Sequence, residues 1–136
     1  MSENIPGHGG SAPQGALFAV AALAGLSGAA GVALSAVAAH KVDSPALATA
    51  AMILMIHASA VLALATVAMR AQNSRRWLAC VGLMMFAALL FSGAVSFHAL
   101  TGNYIFPMAA PIGGSTLIAS WLLVAVLALL ELFSQQ

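Results

Sequence analysis

Residues 89–102 read LLFSGAVSFHALTG. The run has the apolar bulk of a membrane helix, broken by the small residues Ser92, Gly93, Ala94 and Ser96, with a histidine near its end and a Thr-Gly exit. It reads as the outer half of a membrane-spanning helix, and the other apolar segments of the chain read as its partners.

The composition around it fits that solvent. Apolar residues make up 62% of the 136 and charged residues 5%, where a soluble domain carries about 25% charged residues. There is too little charge to cover a water-facing surface. The charged side chains (Glu3, Lys41, Asp43, Arg70, Arg75, Arg76 and Glu131) all lie at the ends of the chain or between apolar runs, as a bilayer requires. A net charge of +1 and the lack of any aromatic-interleaved Lys/Arg run argue against nucleic acid as a partner. The lone Cys80 falls inside an apolar run, where it is most simply a small hydrophobe.

Along the chain, residues 1–14 hold Gly7, Gly9, Gly10 and two prolines, have little to bury, and predict a flexible tail. Residues 15–39 are uncharged. As a helix they would run about 37 Å, enough to cross a hydrocarbon core of about 30 Å. Within them Ser27, Gly31, Ser35 and Ala39 recur at every fourth position, flanked by Gly25 and Gly28, a stripe that lets another helix approach closely. The triplet Ala36-Val37-Ala38 has the form of a signal-peptidase site. No Lys or Arg precedes the apolar run, however, and the run exceeds the roughly 7 to 15 residues of a signal core, so a span is the preferred reading.

Residues 40–45 form a polar turn in which Ser44-Pro45 suits a helix start, leading to a second span at 46–69. Three arginines crowd residues 70–76, Trp77 stands at the next boundary, and a third span covers 77–100. Residues 101–111, with Gly102, Asn103, Tyr104, Pro107 and Pro111, predict an interfacial loop, and a fourth span follows at 112–130 from Gly113-Gly114. The fold class is therefore an all-α, polytopic, integral membrane four-helix bundle, a single domain over 15–136. The arginine loop should be cytoplasmic by the positive-inside rule, which puts both termini on that side.

His57 lies near the middle of the second span, where an ionisable group is a functional candidate by default. Its helical face also carries Ala46, Ala50, Ile53, Ala60 and Leu64, a strip suited to packing, so a hydrogen bond to a neighbouring helix is the preferred reading over proton relay or ligand binding. A haem would need a second axial ligand at the same depth, and His40 and His98 fall near the ends of their spans, roughly 16 Å away along the helix axis. Those two could share a depth, but without a carboxylate or thiolate nearby they make a weak metal site, and interfacial placement accounts for them better. Met52 and Met55 suggest soft copper(I) ligands, yet Met55 and His57 point to nearly opposite sides of one helix. There is no phosphate-binding glycine loop, no paired carboxylate and no Ser/His/Asp set, so no enzymatic activity is expected, and no cofactor or metal.

Four segments together resemble a known family, the small bacterial membrane proteins called YgdD-like, or domain of unknown function 423, which includes transmembrane protein 256. They are SAVAAH at 35–40, TAAMILMIHA at 49–58, LFSGAVSFHALTG at 90–102 and APIGGSTLIASWLL at 110–123. The resemblance runs from about residue 15 to 130. It places the family's recurrent polar residues on His40, Thr49, His57, Ser92, Gly93, Thr101, Gly102, Pro111, Gly113 and Gly114. The chain departs from the pattern at Leu54, where family members often carry a further histidine, and at His98, where they are usually apolar. The family implies four membrane helices, a bacterial inner-membrane location, and no established activity.

The reading that follows is a non-enzymatic membrane protein acting by helix–helix association, with itself or as an accessory subunit of a membrane complex. The lipid bilayer and other membrane subunits are its expected partners. The alternative is a small transporter or channel in which His57 and residues 101–114 line the path, the amides of Gly113 and Gly114 holding an anion or carbonyl at a helix start. A haem- or quinone-linked redox role stands third. The polar positions singled out are His57, His40, Thr49, Ser92, Thr101, Gly113 and Gly114, and the helix-packing positions are Ser27, Gly31, Ser35, Ser92 and Ser96.

Overall fold

The computed structural model describes residues 14–134, so the tail expected over 1–14 lies, except for Gln14, outside the described residues. Four helices make up the described chain: α1 (Gln14–His40), α2 (Pro45–Arg70), α3 (Ser74–Thr101) and α4 (Ala109–Ser134). Each has 26 to 28 residues, and each is long and apolar enough to cross a membrane. Phe18 and Leu26 on α1, and Ile118, Leu122 and Phe133 on α4, stand exposed. Water would penalise that surface and hydrocarbon would not. The protein is a multi-pass membrane protein.

Local chemistry sets the helix ends. Ser44 caps α2, its hydroxyl accepting from the Leu47 amide at 3.3 Å, and Pro45 fills the first helical position, where its missing N–H costs nothing. Asn73 caps α3 by accepting from the Arg76 amide at 3.3 Å. The turn expected over 70–76 is thereby shortened to residues 71–73, and Arg75 and Arg76 belong to the first turn of α3. At the other end Gly102 adopts φ +74°, a left-handed conformation that suits glycine, and its amide closes on the His98 carbonyl at 2.9 Å.

The difference from expectation that bears most on the site is at α4, which starts at Ala109 and not at 112. Pro111 was expected to stay in the loop, but a proline is compatible with a helix's first turn. The Ile112 amide already bonds back to the Met108 carbonyl at 3.0 Å. Gly113 and Gly114 are therefore the fifth and sixth residues of α4. Only the first four amides of a helix lack partners within it, so these two do not offer the free anion-binding amides that the transport reading required.

Short connections make consecutive helices antiparallel, and α1 packs on α2, α2 on α3 and α3 on α4. α1 also touches α3, whereas α4 makes no backbone approach to α1 or α2. The bundle is thus open, with α3 at its centre as the most buried helix and α1 and α4 the least buried. Val61 of α2, Val81, Met84 and Ala88 of α3, Ala24 of α1 and Leu117 of α4 belong to one buried apolar cluster, so all four helices contribute to the core.

Small residues set the close crossings. A Cβ on Gly31 would lie 2.5 Å from Met55 Cγ and 3.1 Å from the Ala51 carbonyl oxygen, so α1 and α2 come together there. One on Gly113 would lie 2.6 Å from the Phe91 backbone nitrogen, which marks the α3–α4 crossing. Ser27 is buried beside Gly31, and its hydroxyl donates to the Leu23 carbonyl at 2.8 Å, which keeps the group satisfied without water. Ser35 is half-buried and Ala39 exposed, so the α1 stripe packs over its first part and diverges towards its end.

Candidate functional site

Three polar arrangements interrupt the apolar interior, one at mid-depth and one at each end of the bundle. The first centres on His57, which lies twelve residues past Pro45 in α2, as Trp121 lies twelve past Ala109 in α4. Both helices run in the same direction, so the two side chains share a depth. His57 is buried, and both its ring nitrogens are engaged: Nδ1 with the Ile53 carbonyl at 2.7 Å, Nε2 with the Trp121 indole N–H at 3.2 Å. A carbonyl can only accept and an indole N–H can only donate. The arrangement therefore selects the neutral tautomer with hydrogen on Nδ1, which donates to Ile53 while Nε2 accepts from Trp121. The rings meet edge to face, with centroids 6.0 Å apart. Met55, two residues earlier, packs instead against Gly31 of α1, so the thioether and the imidazole serve different interfaces.

At the end bearing the arginines, Glu131 reaches back from α4 to the turn between α2 and α3. Its carboxylate accepts from the Gln72 amide at 3.3 Å, the Asn73 amide at 3.5 Å and the Trp77 indole N–H at 3.3 Å. One acidic side chain thus satisfies donors that the tight turn cannot satisfy internally. Periodicity within a helix gives no sign of this contact, because its members are more than fifty residues apart in sequence.

The opposite end holds a cavity of about 630 Å³. Ala94, Val95, His98 and Ala99 of α3 form one wall, loop residues 104–107 another, and the starts of α2 and α4 close it, with Ser44 at the α2 side. The His98 imidazole stacks on the Tyr104 ring, with centroids 4.1 Å apart and planes within 11°. His98 Nδ1 is buried and has no hydrogen-bond partner among the described residues. Ser92 and Ser96, on the same helix, are buried with unpaired hydroxyls as well.

The remaining singled-out residues are spread along the bundle. His40 is the exposed last residue of α1. Thr49 is exposed and donates to the Pro45 carbonyl at 2.9 Å, and Thr101 is exposed and donates to the Phe97 carbonyl at 2.8 Å. Both hydroxyls are thus spent on their own helices. Gly113 is buried against the Phe91 backbone and Gly114 lies beside the Phe91 ring. Sequence reasoning passed over Trp121, Glu131 and Tyr104 as partners. For Trp121 the matching depth with His57 emerges only once α4 is seen to start at Ala109 and not at 112.

The family described as protein of unknown function (DUF423) matches residues 28–114, more than half of the chain. The matched segment runs from within α1 to the sixth residue of α4, and so includes His57, His98 and the residues of the cavity. No curated protein and no solved structure matches the chain.

Proposed function

Since the chain belongs to the DUF423 family, whose description assigns no activity, we propose from its own surfaces that it works by association within the membrane, as an accessory subunit or as a self-associating protein, and not as an enzyme. The observation that carries this reading is a second small-residue stripe. Gly25, Ala29 and Ala33 recur at every fourth position on the exposed side of α1, away from the Ser27–Gly31 face that packs on α2. A Cβ on Gly25 would meet nothing within 4 Å among the described residues, so none of the four helices uses that groove. Close approach of two backbones is what small residues at this spacing permit in lipid. The open bundle, in which α1 and α4 do not meet, leaves the face free along its length.

The transport reading has less support. It asks His57 to line a path, and both His57 nitrogens are committed to Ile53 and Trp121.

For orientation, the three arginines about the α2–α3 turn support a cytoplasmic placement of that turn in a bacterial inner membrane, with both termini on the same side. Labelling of a cysteine placed at residue 72 from the cytoplasmic side alone would support this, and labelling from the external side alone would reverse it. For association, a cysteine at Ala29, with Cys80 changed to alanine, should form membrane cross-links that Gly25→Ile suppresses. Cross-linking unaffected by Gly25→Ile would remove the α1 face from the account.

A further inference from the structure

We propose that the cavity bounded by α3 and loop residues 104–107 binds an uncharged amphiphile whose head carries carbonyl oxygens, such as a lipid-soluble quinone ring or the ester group of a neutral glycerolipid. At about 630 Å³ the cavity is the size of a small-molecule site. It reaches from the loop down to Ala94, seven residues inside the end of α3 at Thr101, which is about 10 Å of helix. An occupant there would have its head at the loop and its body at hydrocarbon depth.

The wall chemistry narrows the head group. Among the described residues no Lys, Arg, Asp or Glu lines the cavity, so an ionic head would lose hydration without gaining a counter-charge. The polar side chains available are those of Ser44, His98 and Tyr104. His98 is held flat by its stack on Tyr104, with its Nδ1 buried and unpaired. A buried N–H without a partner is rarer than a buried acceptor without one. In the neutral ring the hydrogen therefore belongs on Nε2, which makes that nitrogen a donor. The Tyr104 phenol supplies a second donor. Two donors in an uncharged, largely apolar cleft call for acceptor oxygens on an apolar body, which describes a carbonyl-bearing amphiphile. This assignment is independent of the association proposed for α1.

The test uses the full chain purified in mild detergent, titrated separately with decylubiquinone and with dioctanoylglycerol and read by native mass spectrometry. Saturable binding of one molecule per chain is expected for at least one probe, and the probe that binds identifies the source. His98→Phe keeps a flat ring against Tyr104 but lacks the nitrogens, and should weaken binding about tenfold, the loss of one hydrogen bond. Ala99→Trp, which fills the cavity from α3, should abolish binding, and neither variant should prevent purification of a folded, helical protein. Dioleoylphosphatidylglycerol should not displace the bound probe. Absence of saturable binding by both probes, undiminished binding in both variants, or displacement by the anionic lipid would each overturn the proposal.

Discussion

Trp121 donates its indole N–H to Nε2 of His57 at 3.2 Å, and this pair of side chains joins α2 to α4, two helices whose backbones make no approach to each other. The bond explains how an imidazole is accommodated at mid-span. The ring is neutral, each nitrogen has a partner of the right kind, and Trp121, still 45% exposed, covers it from the lipid side.

If the pair is a packing link, removing either member leaves the other unsatisfied. His57→Leu and Trp121→Phe should each lower stability by about 1 kcal/mol. The double-mutant cycle should return a coupling of roughly 0.6 kcal/mol, and up to about 1.7, as found between membrane helices. Thermal unfolding in a mild detergent measures it, and strictly additive effects would show that the bond contributes nothing.

The glycines should divide by what a methyl group would meet. At Gly113 it would press on the Phe91 backbone, which cannot rotate away, so Gly113→Ala should force α3 and α4 apart at a cost of about 1–3 kcal/mol. Gly93 has nothing within 4 Å, and Gly93→Ala should stabilise the helix by about 0.5–1 kcal/mol. Melting temperatures of the two variants should therefore move in opposite directions, and equal shifts would mean that the α3–α4 crossing lies elsewhere.

These contrasts mark what could be read from the sequence. The four spans were legible because lipid demands long uncharged runs, and Ser27 and Gly31 because helix approach demands small residues at a fixed spacing. The start of α4 was misread because Pro111 breaks a helix interior but not a first turn, and sequence alone does not say which applies. The roles of Glu131 and Tyr104 were hidden for a different reason. Glu131 meets the α2–α3 turn only because α4 folds back past α3, and Tyr104 meets His98 only through the path of a loop. No periodicity encodes either contact.

Glu131 should fix the arginine-end turn. Glu131→Ala leaves the amides of Gln72 and Asn73 without this acceptor, and their hydrogen exchange should accelerate roughly tenfold, the equivalent of about 1.4 kcal/mol. Glu131→Gln keeps an acceptor oxygen and should fall between the two. Unchanged exchange in Glu131→Ala would show that the turn holds itself.

Ser92 is 1% exposed and its hydroxyl has no hydrogen-bond partner among the described residues, so the residue serves by being small. Ser92→Ala keeps the volume and removes an unpaired group, and should raise stability by about 1 kcal/mol. A fall of similar size on thermal unfolding would mean that the hydroxyl has a partner in the membrane.

The account rests on association through the exposed face of α1, where Gly25, Ala29 and Ala33 line up and a Cβ on Gly25 would meet nothing among the described residues. Purification of the tagged chain from its native membrane in mild detergent, with the mass of the particle and its polypeptide content determined, tests this most directly. A particle containing a second copy or another membrane protein, lost on Gly25→Ile, is the predicted result. A monodisperse monomer with no co-purifying polypeptide would contradict it.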